Sequence, residues 1–112
     1  MPKYLTIGYG DRAGYDRTPQ PLRDAAHAHD QALLASGAIV GLAGAPVQVR
    51  NVEASGTEVL NAAFLSSDLP VAGFALIDAV NLEAAVALAA RSPCAIAYGV
   101  VEVWPLLQQD VD

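Results

Sequence analysis

The sequence predicts an α+β fold in which strands and helices follow one another in the order β-α-β-β-α-β. Three observations carry this prediction: apolar segments with the two-residue repeat of strands, segments with the helical repeat of about 3.6 residues, and turn residues between them. The 112 residues are enough for one domain that buries its core without disulfides or metals. We predict this domain at residues 1–107, followed by a polar tail at 108–112.

The first strand and the first helix lie in the opening third of the chain. Residues 4–9 alternate between two sets of side chains, which is typical of a strand, and the segment after Gly10 is predicted to be a loop. Thr18 followed by Pro19 indicates a helix start, because Thr caps free amides and proline is tolerated in the first turn. The helix has one apolar face and is predicted to end at Gly37, where a left-handed residue is expected.

The middle of the chain predicts a hairpin. Residues 38–49 form a mostly apolar strand that bends near its glycines, and Pro46 argues against a central, fully paired position. Residues 50–57 are predicted to form the turn, and residues 58–65 the returning strand.

The last strand-helix-strand unit is the most apolar part of the sequence. Residues 71–79 are apolar on both faces, and Asn81 is positioned to cap a helix that ends at Ser92-Pro93. Residues 95–104 form the predicted closing strand, again apolar on both sides.

This order of elements is that of a ferredoxin-like sandwich. Two helices can cover only one face of its sheet, so the second apolar face needs another partner. A second copy of the chain is the simplest one, since two-fold dimers are the commonest oligomers. We therefore predict a homodimer through the open sheet face, in which two sheets enclose a barrel-like interior.

Composition narrows the partners and the compartment. The net charge is −6 and only 16% of residues are charged, which disfavours nucleic acid and anionic membranes as partners. The single cysteine, Cys94, rules out an internal disulfide and is predicted to be a small buried residue at the head of the closing strand. The N-terminus lacks a signal-peptide core and no apolar run reaches membrane-spanning length, so we predict a cytoplasmic protein.

Four stretches, which follow one another between residues 3 and 106 and cover half of the chain, carry a family resemblance. They are KYLTIGYGD at 3–11, LLASGAIVGLAG at 33–44, AGFALIDAVNLEAAVALAAR at 72–91 and SPCAIAYGVVEVWPL at 92–106. They resemble the YCII-related family of small bacterial proteins, also called DGPF-domain proteins, and this resemblance implies a dimeric α+β barrel. The chain departs from the Asp-Gly-Pro-Phe motif, since residues 61–64 read Asn-Ala-Ala-Phe.

Two histidines and an aspartate are the candidate catalytic residues. In one branch of the family, the resemblance implies a pair formed by a helix histidine and an aspartate after the first strand; Asp11 matches, but the histidine position falls at Ala26. Helical geometry places His29 on the apolar stripe and His27 towards solvent. His29 near Asp11 could act as a general acid-base. The alternatives are a core histidine bonded to backbone, and a turn aspartate bonded to its own backbone.

Three further residues are candidate ligand contacts. Tyr9 and Tyr98 could direct hydroxyls into the interior, and Arg50 could attract a carboxylate; the alternatives are packing for the tyrosines and solvated surface for the arginine. No metal site and no cofactor is predicted, because the histidines lie on opposite sides of a helix and nucleotide-binding glycine motifs are missing.

Two functions are compatible with the sequence. The favoured prediction is a YCII-like dimer that binds a small organic ligand in the barrel interior without catalysis. The alternative is a cofactor-free enzyme in which His29, or else His27, works with Asp11 in isomerisation, elimination or dehydrohalogenation. The displaced histidine and the missing Asp-Gly-Pro-Phe turn favour the first.

Overall fold

The structure is a computed structural model that describes residues 1–107, and the predicted tail at 108–112 lies outside the described residues. The strands are β1 (Lys3–Tyr9), β2 (Ile39–Leu42), β3 (Gln48–Arg50), β4 (Glu58–Leu60), β5 (Val71–Asp78) and β6 (Val100–Pro105). The helices are α1 (Arg12–Arg17), α2 (Gln20–Ala35), α3 (Leu82–Ala89) and α4 (Pro93–Ile96), with a 3-10 turn at Val52–Ala54. Within 1–107, no helix has the length and apolar character needed to cross a membrane.

Four strands form one antiparallel sheet in the order β2-β5-β1-β6, so the predicted α+β class is confirmed. The central strand β1 pairs with β5 on one side and β6 on the other, with Leu5 opposite both Leu76 and Trp104. The register between β1 and β5 shifts at Gly8 and Tyr9. This irregularity lies at the end of β1 where the candidate site is built.

One face of the sheet packs against helices. Tyr4, Ala75 and Ile77 of the sheet and Ala85 of α3 are buried in a common cluster, with Leu33 of α2 packed against it. Because many of these side chains are alanines, the helices lie close to the sheet.

The opposite face, which we call the open face, also carries apolar side chains. Leu5, Ile7, Leu76 and Trp104 alternate with the residues that face the helices. Trp104 is 50% exposed and Ile39, on the edge strand β2, is 57% exposed. The prediction of strands apolar on both faces is therefore confirmed for this sheet.

The predicted loop after the first strand contains the helix α1. Asp11 is its N-cap, and the Thr18 hydroxyl donates to the Gly14 carbonyl at 2.8 Å. Thr18 thus closes α1 instead of capping the next helix, and Pro19 directly precedes α2. The predicted helix end is confirmed, since Gly37 has a φ of 102°.

The predicted strand at 38–49 is wrong as one element. Only β2 joins the main sheet, and β3 pairs instead with β4 in a separate two-stranded hairpin. Pro46 lies between them and has no amide to donate to a sheet, which explains the break. The returning strand is also shorter than predicted, ending at Leu60.

The closing strand begins later than predicted. Pro93 occupies the first turn of α4, so Ser92-Pro93 opens a short helix instead of only ending α3. Tyr98 then has a φ of 64°, and β6 starts at Val100. Cys94 consequently lies in α4, half-buried and not at the head of a strand.

Candidate ligand site

A phenol-carboxylate pair lies at one end of the open face. Tyr9 is opposite Val100 in the β1-β6 ladder, which makes Glu102 its diagonal neighbour on the same face. The Tyr9 hydroxyl donates to Glu102 Oε1 at 2.6 Å. Tyr9 is only 7% exposed and Glu102 is half-buried. The pair, held by two neighbouring strands, is therefore partly shielded from water.

This hydrogen bond also favours the protonated form of the Tyr9 phenol. The bond to Glu102 raises the pKa of Tyr9 above its ordinary value, and burial and the negative charge of Glu102 act in the same direction. Tyr9 therefore keeps its proton at neutral pH and acts as a donor. The bond occupies Glu102 Oε1, and a carboxylate can accept further hydrogen bonds through both of its oxygens.

Two adjoining cavities, which we call the open-face cavities, lie beside the pair. They share four lining residues, Tyr9, Leu65, Ser67 and Leu69. The smaller cavity, of ≈ 370 Å³, contains the polar groups: Glu102, Asp68 and the hydroxyls of Ser66 and Ser67. The larger one, of ≈ 660 Å³, extends between residues 43–46 and 63–71 and is mostly apolar. A cavity of this kind, apolar with a few convergent polar groups, is typical of small-molecule sites.

The predicted ligand contacts are not brought together. Tyr9 lines both cavities. Tyr98 is 59% exposed on the turn after α4, where the Arg17 guanidinium lies 4.1 Å from the centre of its ring. Arg50 is exposed at the end of β3, opposite Glu58. Tyr98 is displaced because the predicted strand around it is α4 and a turn.

Glu102 was not among the residues that the sequence predicted for the site. Its signal is nonetheless present, because the alternation of β6 places Val100, Glu102 and Trp104 on one face. A carboxylate between two large apolar residues on an otherwise apolar face is costly to bury without a partner. That anomaly makes Glu102 a candidate site residue.

His29 is buried as predicted, but its ring is bonded to the backbone. It is 5% exposed, and Nε2 lies 2.9 Å from the Leu88 carbonyl oxygen. Since a carbonyl only accepts, Nε2 carries the proton and donates. The bond ties α2 to α3, which is the arrangement of a core histidine.

Asp11 is likewise engaged by the backbone. Its Oδ1 accepts from the Gly14 amide at 2.9 Å and caps α1, a contribution of about 1 kcal/mol in typical helices. Among the hydrogen bonds of residues 1–107, none joins Asp11 to His29. The predicted acid-base pair is therefore not assembled by a direct bond.

His27 lies on the outer side of α2. Its Nε2 is 3.0 Å from the Tyr15 hydroxyl, and the Arg23 guanidinium lies 4.8 Å from the centre of the Tyr15 ring. His27 is exposed and lines neither of the two open-face cavities.

A third cavity, of ≈ 110 Å³, is separate from the open-face cavities and is lined in part by Asp30 and Cys94. Burial raises the pKa of Asp30, against the opposing effect of both histidines. Burial, together with the charge of Asp30, raises the pKa of Cys94, which favours the protonated thiol over the thiolate. In the described part of the chain, no cluster of three or more His, Cys, Asp or Glu side chains could hold a metal ion.

Fold and site together define a small α+β protein with a Tyr-Glu pair at the edge of an apolar cavity. In comparisons with known proteins, no family model and no curated protein matches this chain.

Proposed function

We propose that this chain is a YCII-like protein that binds a small organic ligand in the open-face cavities without catalysing a reaction. The observation that carries the proposal is the 2.6 Å bond from Tyr9 to Glu102 at the polar end of these cavities. The bond holds both groups in place before a ligand arrives, which lowers the cost of ordering them on binding.

The size of the site fits a small molecule. The larger cavity of ≈ 660 Å³ lies within the range of about 300–1,000 Å³ that is typical of ligand pockets. Each methylene that a ligand buries there contributes about 0.8 kcal/mol. The apolar walls thus provide affinity, while Tyr9 and Glu102 provide orientation.

Binding is favoured over acid-base catalysis by the state of the two predicted catalytic residues. His29 donates through Nε2 to the Leu88 carbonyl, and its ring lines neither open-face cavity, so it does not border the space in which we place the ligand. Asp11 caps α1 through the Gly14 amide and likewise lines neither cavity. The enzyme alternative would therefore need these residues to act on a ligand held outside the open-face cavities.

We further propose that a second copy covers the open face and completes a dimeric α+β barrel. Leu5, Leu76 and Trp104 lie opposite one another across three strands, with Ile39 opposite Leu76. A contiguous apolar surface of this kind is costly in water. Two copies related by a two-fold axis would bury it against itself, with the two sheets about 10 Å apart.

The dimer is tested by mass and by one charge substitution. We expect light scattering at micromolar concentration to give twice the chain mass of 11.6 kDa. Ile39→Asp should give a monomer, because a carboxylate at this edge position would be desolvated in the interface. Val59→Asp, on the separate hairpin, is the control and should remain dimeric. A wild-type protein with the monomer mass would refute the dimer.

The ligand site is tested by thermal shift with a panel of monocyclic aromatic and six- to eight-carbon aliphatic compounds. A ligand at a hundredfold excess over its Kd stabilises the protein by about 2.7 kcal/mol. Tyr9→Phe removes the hydroxyl that orients Glu102, so we expect binding about three- to tenfold weaker. Tyr98→Phe, which alters an exposed tyrosine outside the cavities, should bind like wild type.

A cavity-filling variant supplies the opposite control. Ala63 lines the larger cavity, and Ala63→Trp should abolish binding while the fold is retained by circular dichroism. If no compound in the panel stabilises the protein, or if the Ala63→Trp variant binds as tightly as wild type, the proposed site is wrong.

A further inference from the structure

We infer that the ligand of this site is an organic cation, an amine carried on an apolar body. The inference rests on the proposed function and specifies its ligand class. Its first support is the composition of the smaller cavity, whose lining residues include the acidic Glu102 and Asp68 together with Ser66 and Ser67. Among residues 1–107, none of those that line either open-face cavity is basic.

The second support is the electrostatic position of Glu102. Ion pairs of the described residues join Lys3 to Asp78 and Arg12 to Asp16, and none of them includes Glu102. The bonded partner of this half-buried carboxyl group is Tyr9, a neutral phenol. A partly desolvated carboxylate gains most from a cationic partner, and a bound ammonium would supply that charge.

Two arginines stack on tyrosines outside the site, and no arginine of the described residues lines either open-face cavity. Arg17 stacks on Tyr98 and Arg23 on Tyr15, both away from the open-face cavities. A carboxylate ligand would therefore meet Glu102 and Asp68 without a compensating cation, and like charges at close range are repulsive. The net charge of −6 acts in the same sense, since it raises the local concentration of cations.

The third support is the placement of apolar side chains beside Glu102, since the walls of both cavities are mostly apolar. The ammonium would donate to Glu102, whose Oε1 is already oriented by Tyr9. The apolar body would extend along Leu65 and Leu69, which line both cavities, towards Pro46 and Phe64 in the larger one. This arrangement predicts that affinity rises with the size of the apolar body and depends on the charge of the head group.

Matched compounds test the head group separately from the site. Amine, alcohol and carboxylate head groups are each placed on hexyl, phenethyl and naphthylmethyl bodies, and binding to the full chain is measured by calorimetry at pH 7.5 and low salt. We expect the amine to bind at least about tenfold more tightly than the alcohol with the same body, since a charge-assisted bond is stronger than a neutral one. The carboxylate should bind most weakly.

Variants assign the preference to Glu102. Glu102→Gln should reduce the amine-to-alcohol ratio to near one, while Glu58→Gln, the same charge change on the separate hairpin, should leave it unchanged. If alcohols or carboxylates bind as tightly as amines, the ligand class is wrong while the site stands. If no compound binds on any body, the proposed function fails as well. An amine preference that survives in Glu102→Gln would show general attraction to an acidic surface and overturn the inference.

Discussion

Replacement of His29 by alanine is expected to lower the free energy of unfolding by about 3 kcal/mol, through loss of a buried ring and a buried hydrogen bond. The Leu88 carbonyl would lose the donor that now lies 2.9 Å away. Because this bond joins α2 to α3, the loss weakens the packing between the two main helices. Urea unfolding followed by circular dichroism measures the change, which corresponds to a melting temperature lower by roughly 12 °C.

His27→Ala is the matched control, because the same residue type two positions away is exposed. Its bond to Tyr15 lies at the surface, so we expect a change within about 0.5 kcal/mol. His29→Gln, which can offer an amide donor, should recover part of the loss. If His29→Ala is as stable as wild type yet loses binding or an activity that His27→Ala retains, the structural role is wrong and the acid-base hypothesis regains support.

These two histidines show how far periodicity predicts a site. The helical repeat correctly separated a buried His29 from an exposed His27, because α2 is a regular helix of 16 residues. The partner of His29 was not predictable, since Leu88 lies 59 residues away on another helix. A side chain's direction is set locally, whereas its partner is set by packing.

The length of each element explains which strands and helices the sequence predicted correctly. The strands β1 and β5 and the helices α2 and α3 have seven or more residues each, enough for a repeat to be recognised. α1 has six residues and α4 has four, too few for a clear helical pattern, and both depend on tertiary contacts. Gly14, for example, is buried inside α1, where an isolated helix would gain nothing from glycine.

The contact between Tyr9 and Glu102 could not be predicted from the repeat of either strand alone. Each residue could be assigned to a face of its own strand, but their contact depends on the register between β1 and β6. These strands are separated by most of the chain, and their register is fixed by the whole sheet. The anomaly of Glu102 in an apolar strand was visible in the sequence, and its partner was not.

Gly99 lies tightly against the end of β1, and Gly99→Ala is the second substitution for which we expect a large effect. A methyl group at this position would lie 2.6 Å from the Cys94 carbonyl oxygen and closer still to that of Tyr9. Both contacts are with backbone, which cannot rotate away as a side chain would. We expect a loss of about 3 kcal/mol, as for overpacking of a tight site.

Gly44→Ala is the matched control, because an added methyl group there meets no atom within 4 Å. Reduced freedom of the unfolded chain should leave this variant equal to wild type or slightly more stable. The melting temperatures of the two variants should therefore differ by roughly 12 °C. Equal melting temperatures would contradict the close approach of Gly99 to β1.

The Gly99 substitution also reaches the candidate site. Gly99 directly precedes Val100, which pairs with Tyr9, and β6 continues to Glu102. To relieve the contact with the Tyr9 carbonyl, the start of β6 must move away from the end of β1. The 2.6 Å bond between Tyr9 and Glu102 should then lengthen, so ligand binding should weaken in folded Gly99→Ala at temperatures well below its melting point. Tyr98→Phe, which lines neither open-face cavity, is again the binding control and should bind like wild type.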